Sequence, residues 1–343
     1  MLLLPILFTA LIAGDCGSTG VHTFPAGFAD ATEGVAYVQS DAGYVDALEL
    51  RSGRRIWESS EKAKPLGLYD DSLIAAAPGT VPNELAIILL DKTKGSAGRS
   101  PTVSFPDPVN TAASGFAYSV AQDKNWLELA WSYVYPNRGG AMRRLDGGVP
   151  LPPSLSGLKL IDLDKGLVED AGTNAEATAP KINDGSRLFS RRDDSTGFDP
   201  WRVGNSDIHL LIQDLSSQKQ LVLKTFSAEG KPETHVLVSG HNPSPYKSGD
   251  GCYLFLIRNS PNEVQPWYVF SVLRGTLVGK LTFRPGSDQP DVVGSTAFWL
   301  LAKHSEPGKE THILEAADLA TGKLLWSYVL GTVPYDPGSK RLQ

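Results

Sequence analysis

Residues 313–326 read ILEAADLATGKLLW, and residues 44–57 read YVDALELRSGRRIW. Aligned without gaps, Ala47 falls on Ala316, Leu50 on Leu319, Gly53 on Gly322 and Trp57 on Trp326, with acidic Glu49 opposite Asp318. Self-similarity between opposite ends of one chain marks a repeat architecture. In each copy a strand runs into Ser52-Gly53 or Thr321-Gly322, where glycine supplies the positive φ that a tight turn needs. The returning strand carries Ile56-Trp57 or Leu325-Trp326. These side chains present more apolar surface than one hairpin can bury, so a further copy has to stack on it.

Weaker copies lie between. Strand-turn junctions occur at Leu90–Gly95, Ile161–Gly166, Asp214–Gln218 and Val272–Gly275. With the two strong copies they place turns at positions 53, 95, 166, 218, 275 and 322, mostly at the spacing of four-stranded blades, about 40 to 50 residues. The predicted fold is all-β: a single β-propeller of four-stranded antiparallel blades over residues 21–343, with six blades, or seven if Phe116–Val120 and Leu127–Tyr133 belong to an extra one. The longest interval holds the Gly/Pro-rich segment 137–157, read as an inserted loop. The polar stretch 171–200 reads as a second long connection. Loops of that length in a β domain are functional or disordered.

Composition agrees with many short strands. Charged residues are 20% of the 343, hydrophobic ones 41%, and there are 34 glycines and 24 prolines to make turns. The net charge of −6 comes with no long Lys/Arg run, which argues against a nucleic-acid partner. Residues Leu2 to Gly14 form an apolar block ahead of a small, polar stretch, and residues 1–20 read as an export signal or apolar N-terminal segment. That block is shorter than the roughly 20 residues a transmembrane helix requires. The expected location is therefore outside the cytoplasm: periplasm, cell envelope or medium. Cys16 follows Asp15, a poor lipobox residue. Lipidation at Cys16 would give peripheral membrane association, whereas pairing with Cys252 would give one disulfide, and a buried Cys252 thiol is the third reading.

His22, His209, His235, His241, His304 and His312 show no zinc-ligand spacing, although the strand positions of His235 and His241 are able to converge. Asp193, Asp194 and Asp199 crowd a glycine-containing loop without EF-hand spacing, and Asp162 and Asp164 fall in a turn motif, where capping is the usual task. Trp126, Trp131, Trp201, Trp267 and Trp299 either pack blades or line a sugar or peptide groove. No catalytic, cofactor or metal residue is assigned.

The run Ala316–Trp326, with its strand, Asp318, Thr321-Gly322 and Trp326, resembles the repeat of the pyrroloquinoline-quinone-like propellers, and in repeat form the resemblance extends over about Ala29 to Tyr335. That family includes quinoprotein dehydrogenases, the outer-membrane assembly lipoprotein of propeller type and other exported proteins. The enzymes carry about eight blades, a calcium site, an aspartate base and a vicinal cysteine pair. This chain has only two cysteines, far apart, and no aspartate aligned to the base, so the resemblance implies the non-enzymatic branch and no cofactor. It implies structural roles for Gly53, Trp57, Gly322 and Trp326. The expected function is a non-catalytic scaffold that binds a protein or surface partner through rim loops, with Arg138, Arg143 and Arg144 as candidate contacts. The alternative is a small-molecule or glycan-binding protein, or an enzyme, using the central channel.

Overall fold

The two aligned stretches adopt the same local structure in the computed structural model, which describes residues 21–24, 26–81, 83–98, 101–106, 115–134, 156–171, 200–215, 218–227, 230–240, 244–248, 251–257, 265–284 and 287–335. Near the N-terminus β4 (Tyr44–Glu49) turns into β5 (Arg55–Lys62), and Ala47 pairs with Trp57. Near the C-terminus β24 (Lys309–Asp318) turns into β25 (Leu324–Pro334), and Ala316 pairs with Trp326. The small alanine leaves room for the indole on the same face. The Gly53 and Gly322 amides each donate to the carbonyl four residues back, Glu49 and Asp318, at 2.8 Å, with φ of +67° and +68°.

Gly95, Gly166 and Gly275 close the same turn on the carbonyls of Asp91, Asp162 and Ser271. Three of these turns are capped by an aspartate. Asp318 Oδ1 accepts the Thr321 amide at 2.7 Å, Asp91 Oδ1 the Thr93 amide at 2.8 Å, and Asp162 Oδ1 the Asp164 and Lys165 amides at 3.0 Å each. The capping role read for Asp162 is thereby observed.

Six antiparallel sheets follow one another along the chain. The first joins β1 (Val21–Phe24), β2 (Gly27–Asp30), β3 (Val35–Gln39), β4 and β5; the other five have four strands each. The second is β6 (Lys64–Tyr69), β7 (Ser72–Pro78), β8 (Glu84–Asp91) and β9 (Thr102–Ser104). The third is β10 (Gly115–Asp123), β11 (Trp126–Val134), β12 (Ser156–Asp162) and β13 (Leu167–Asp170). The fourth is β14 (Trp201–Val203), β15 (Ser206–Leu215), β16 (Gln218–Phe226) and β17 (Pro232–Gly240). The fifth is β18 (Ser244–Lys247), β19 (Tyr253–Ile257), β20 (Gln265–Ser271) and β21 (Thr276–Phe283). The sixth is β22 (Asp291–Val293), β23 (Thr296–Glu306), β24 and β25. This is the strand plan of a six-bladed β-propeller. The strands considered for a seventh blade are β10 and β11, the first pair of the third sheet, and no helix occurs among the described residues.

One predicted turn exists but is not equivalent to the others. Position 218 lies in the β15–β16 hairpin, where Leu215 pairs with Gln218, and not between the last two strands of its sheet. The equivalent connection is β16–β17, where Gly230 donates to Ser227 O, three residues back instead of four, at 2.8 Å. Asp214-Leu215 mimics the strand-aspartate pattern, but a turn signal marks any hairpin and does not say which one.

The chain forms two compact units. One comprises Tyr37–Leu48 and Arg55–Asp184. Its core includes Ile74, Ile87, Val103, Leu127, Leu129 and Trp131. The other comprises Met1–Ala36, Glu49–Arg54 and Gly185–Gln343, around Ile208, Leu223, Phe255, Trp267, Phe283 and Trp299. Within each unit neighbouring sheets dock by one device: a ring from an outer strand lies over the turn glycine of the next sheet. Trp57 covers Gly95 and donates from Nε1 to Lys92 O at 2.6 Å; Trp326 covers Gly53 and donates to Leu50 O at 2.8 Å; His235 covers Gly275. A Cβ at any of these glycines would collide with the ring, so glycine is required by close approach as well as by φ. Gly53, Trp57 and Trp326 thus sit in these seats. Gly322 instead faces backbone, the Lys280 carbonyl of β21.

Candidate functional site

Antiparallel order gives each four-stranded sheet two unlike ends. First-to-second and third-to-fourth turns lie at one end, where the glycine turns and their aspartate caps sit. Second-to-third connections and the exits to the next sheet leave from the other. The connections from β11 to β12 and from β13 to β14, which hold most of 137–157 and of 171–200, leave from this second end; Ser156 and Gly157, read as loop, already belong to β12. Arg138, Arg143 and Arg144 lie outside the described residues, as do Asp193, Asp194 and Asp199, His241 and residues 1–20.

At the same end of the second and third sheets, within one unit, there is a cavity of about 390 Å³. Its walls are four aromatic rings. Phe116 lies at their centre, 4.7 Å from Phe105, 5.5 Å from Tyr133 and 6.0 Å from Tyr118 between ring centroids. β10 supplies Phe116 and Tyr118 from alternate positions, hence from one face, and β11 brings Tyr133 directly opposite Phe116. Phe105 and Tyr133 are buried, whereas Phe116 is 38% exposed. The Tyr133 hydroxyl donates to Pro106 O at 2.8 Å, which fixes its ring. Ala76, Ala77 and Leu85 form an apolar floor.

Four polar side chains complete the lining: Gln39, Lys64, Asn83 and Glu84. The Lys64 ammonium stands 5.7 Å from the Tyr118 ring centroid, a cation–π distance. Glu84 accepts from the Thr80 hydroxyl at 3.1 Å and the Ser104 hydroxyl at 3.4 Å, and Gln39 Nε2 donates to Ala63 O at 3.1 Å. These bonds hold the polar groups in place while leaving acceptor capacity on the carboxylate and on Gln39 Oε1. Burial pushes the Tyr118 phenol above its ordinary pKa, so it remains a neutral hydroxyl.

Trp131, Trp267 and Trp299 are buried in the cores, Trp299 donating to Glu315 Oε2 at 2.9 Å. Trp201 donates to Gly251 O at 3.0 Å. Trp126 pairs with Asp162 in the third sheet. The groove-forming aromatics are Phe116, Tyr118 and Tyr133, whose signal was the apolar alternation of two strands already evident in the sequence.

Among the histidines, His209 stacks edge-on against Phe226 and His235 fills the Gly275 seat. His304 and His312 flank one carboxylate: Glu310 lies 2.8 Å from buried His312 Nε2 and 3.8 Å from His304 Nδ1. Among the described residues no group of three metal-ligating side chains has the geometry to hold an ion. Cys252 is buried and disulfide-bonded, which removes the buried-thiol reading; the other cysteine, Cys16, lies outside the described residues. No helix among the described residues is long and apolar enough to cross a membrane.

No family model and no curated protein matches this chain. Solved structures similar to it include BamB from Moraxella catarrhalis, at 14% identity over 86% of this chain and 72% of that one, with a TM-score of 0.23. TolB from Acinetobacter baumannii is similar at 14% identity over 84% and 61%, with a TM-score of 0.30. The AtxE2 isopeptidase is similar at 12% identity over 91% of this chain, which spans half the length of that enzyme, with a TM-score of 0.44.

Proposed function

We propose that the chain is an exported, non-catalytic propeller scaffold, of the non-enzymatic branch of the pyrroloquinoline-quinone-like repeat proteins, that holds a protein or surface partner at the loop-bearing ends of its sheets. The supporting observation is the contrast between the two ends. One is built from glycine turns whose polar groups bond within the turn or to a side chain of the neighbouring sheet. The other carries the long connections that hold most of 137–157 and of 171–200. Binding groups concentrate where connections are long and the scaffold beneath is rigid. Export is supported by the apolar block Leu2 to Gly14 and by the disulfide at Cys252, a bond that persists in oxidising compartments. With Cys16 as the one other cysteine in the sequence, that bond also speaks against lipidation.

The test removes 137–155, which leaves β12 intact, and replaces it with a short Gly/Ser linker, then cross-links tagged protein in its native host and identifies the adducts by mass spectrometry. Expected is one reproducible partner with the full chain, lost with the deletion, at an unchanged melting temperature. Recovery of the same partner from the deleted chain would overturn the assignment of that loop.

A further inference from the structure

The aromatic cavity has a chemistry that partner docking through loops does not use. Four rings surround it, one of them 38% exposed, and its polar lining is balanced: one cation, Lys64, one anion, Glu84, and two amides, Gln39 and Asn83. A cavity meant for a charged ligand would carry an excess of one sign, and one meant for a purely apolar side chain would not retain four polar groups at its walls. Opposite charges together with amides in one lining complement a neutral ligand rich in hydroxyls, each of which both donates and accepts. A pyranose ring has that composition. Its equatorial hydroxyls need donors and acceptors around the edge, and its axial C–H face needs a flat apolar surface beneath.

We propose that this cavity is a carbohydrate-binding subsite for a neutral sugar unit, with Phe116 as the stacking platform and Glu84 and Lys64 as the groups that orient the hydroxyls. The geometry assigns the parts. Phe116 is held from three sides by Phe105, Tyr118 and Tyr133, so its exposed face is rigid before a ligand arrives. Glu84 is held by Thr80 and Ser104 and keeps free lone pairs for two vicinal hydroxyls. The Lys64 ammonium, placed over the Tyr118 ring, donates from the same wall as the neutral Tyr118 hydroxyl. A volume of about 390 Å³ leaves room for one to two sugar units. The site is independent of the loop-held partner: it consists of strand and strand-edge residues, and a partner captured by the loops does not require it.

The experiment titrates the full chain with three neutral tetrasaccharides, cellotetraose, maltotetraose and the fully N-acetylated chitotetraose, by saturation-transfer NMR and calorimetry, alongside Phe116→Ala and Glu84→Gln. Expected is binding of at least one tetrasaccharide at millimolar affinity or better, with loss of roughly tenfold or more in Phe116→Ala. Glu84→Gln keeps the shape and the hydrogen-bonded frame, so it reports on the site even if Phe116→Ala lowers stability; it is expected to weaken the same sugar several-fold at an unchanged melting temperature. No binding of any of the three up to about 10 mM would overturn the proposal, and so would binding that both variants leave unchanged. Cross-linking of the loop partner to Phe116→Ala at the wild-type yield is expected in either case, so failure of the sugar site and failure of the scaffold reading are separable.

Discussion

The indole of Trp326 donates to the Leu50 carbonyl at 2.8 Å across 276 residues of chain, and a Cβ on Gly53 would fall 2.6 Å from its ring. Trp326→Ala is expected to cost about 3–5 kcal/mol as a large-to-small change in a packed seat. Gly53→Ala is expected to destabilise through both the ring and the positive φ. In the Trp326→Ala background only the φ cost remains, so a double-mutant cycle by chemical denaturation should give a coupling of about 0.5–3 kcal/mol. Additive effects would contradict the seat.

The seats are not equivalent in strength. His235 replaces tryptophan over Gly275, and its Nε2 is buried without a hydrogen-bond partner, with Glu233 3.7 Å away. His235→Ala should therefore cost about 1–2 kcal/mol, clearly less than Trp57→Ala, which loses the larger ring and the 2.6 Å bond to Lys92 O. Urea midpoints of the two variants decide the order.

Acid should loosen the glycine turns. The Thr93 hydroxyl and amide hold Asp91 below its ordinary pKa, and the Lys165 amide does so for Asp162. A depressed carboxylate contributes stability above its unfolded value, about 3.9, and loses it as pH falls through the lower folded value. The denaturation midpoint is expected to drop below about pH 4, and Asp162→Asn to flatten that acid limb. An acid limb of equal steepness in the variant would count against the caps.

At alkaline pH the informative group is Tyr69. Its hydroxyl donates to Asp164, and that bond, with the neighbouring carboxylates, pushes its pKa up to about 12. A raised phenol contributes stability below its unfolded value of about 10 and loses it as pH climbs through the folded one. Ultraviolet titration should show a late phenolate step that Tyr69→Phe removes.

The disulfide predicts no free thiol in denatured, unreduced protein. Cys252→Ser is expected to cost about 2–5 kcal/mol. A titratable thiol in the oxidised protein would refute the bond.

How much of this was legible depended on whether a residue's role was local. Gly53 and Gly322 announce themselves because a turn closed by the carbonyl four residues back needs positive φ, and Trp57 and Trp326 because they recur at one offset. His235 occupies an equivalent seat with no equivalent letter, so the pattern in the fourth sheet marks the β15–β16 hairpin at 218 and passes over the equivalent turn at Gly230. The cavity was half legible. The alternation of Phe116 and Tyr118 and the pairing with Tyr133 follow from two adjacent strands. The arrival of Phe105, Lys64 and Glu84 depends on how the second sheet docks on the third, a relation between elements that no local pattern encodes.

The bond from Trp326 to Leu50 also sets a schedule for biosynthesis. At about 5–20 residues per second the turn around Gly53 leaves the ribosome roughly 15 to 55 s before the ring that covers it. Throughout that interval its glycine seat stands open to solvent, chaperones and other nascent chains. A chain that stops short of Trp326 never fills it. The strand β25 thus closes the seat last, and copies cut before Trp326 should be recognisable to quality-control proteases by the uncovered turn at Gly53.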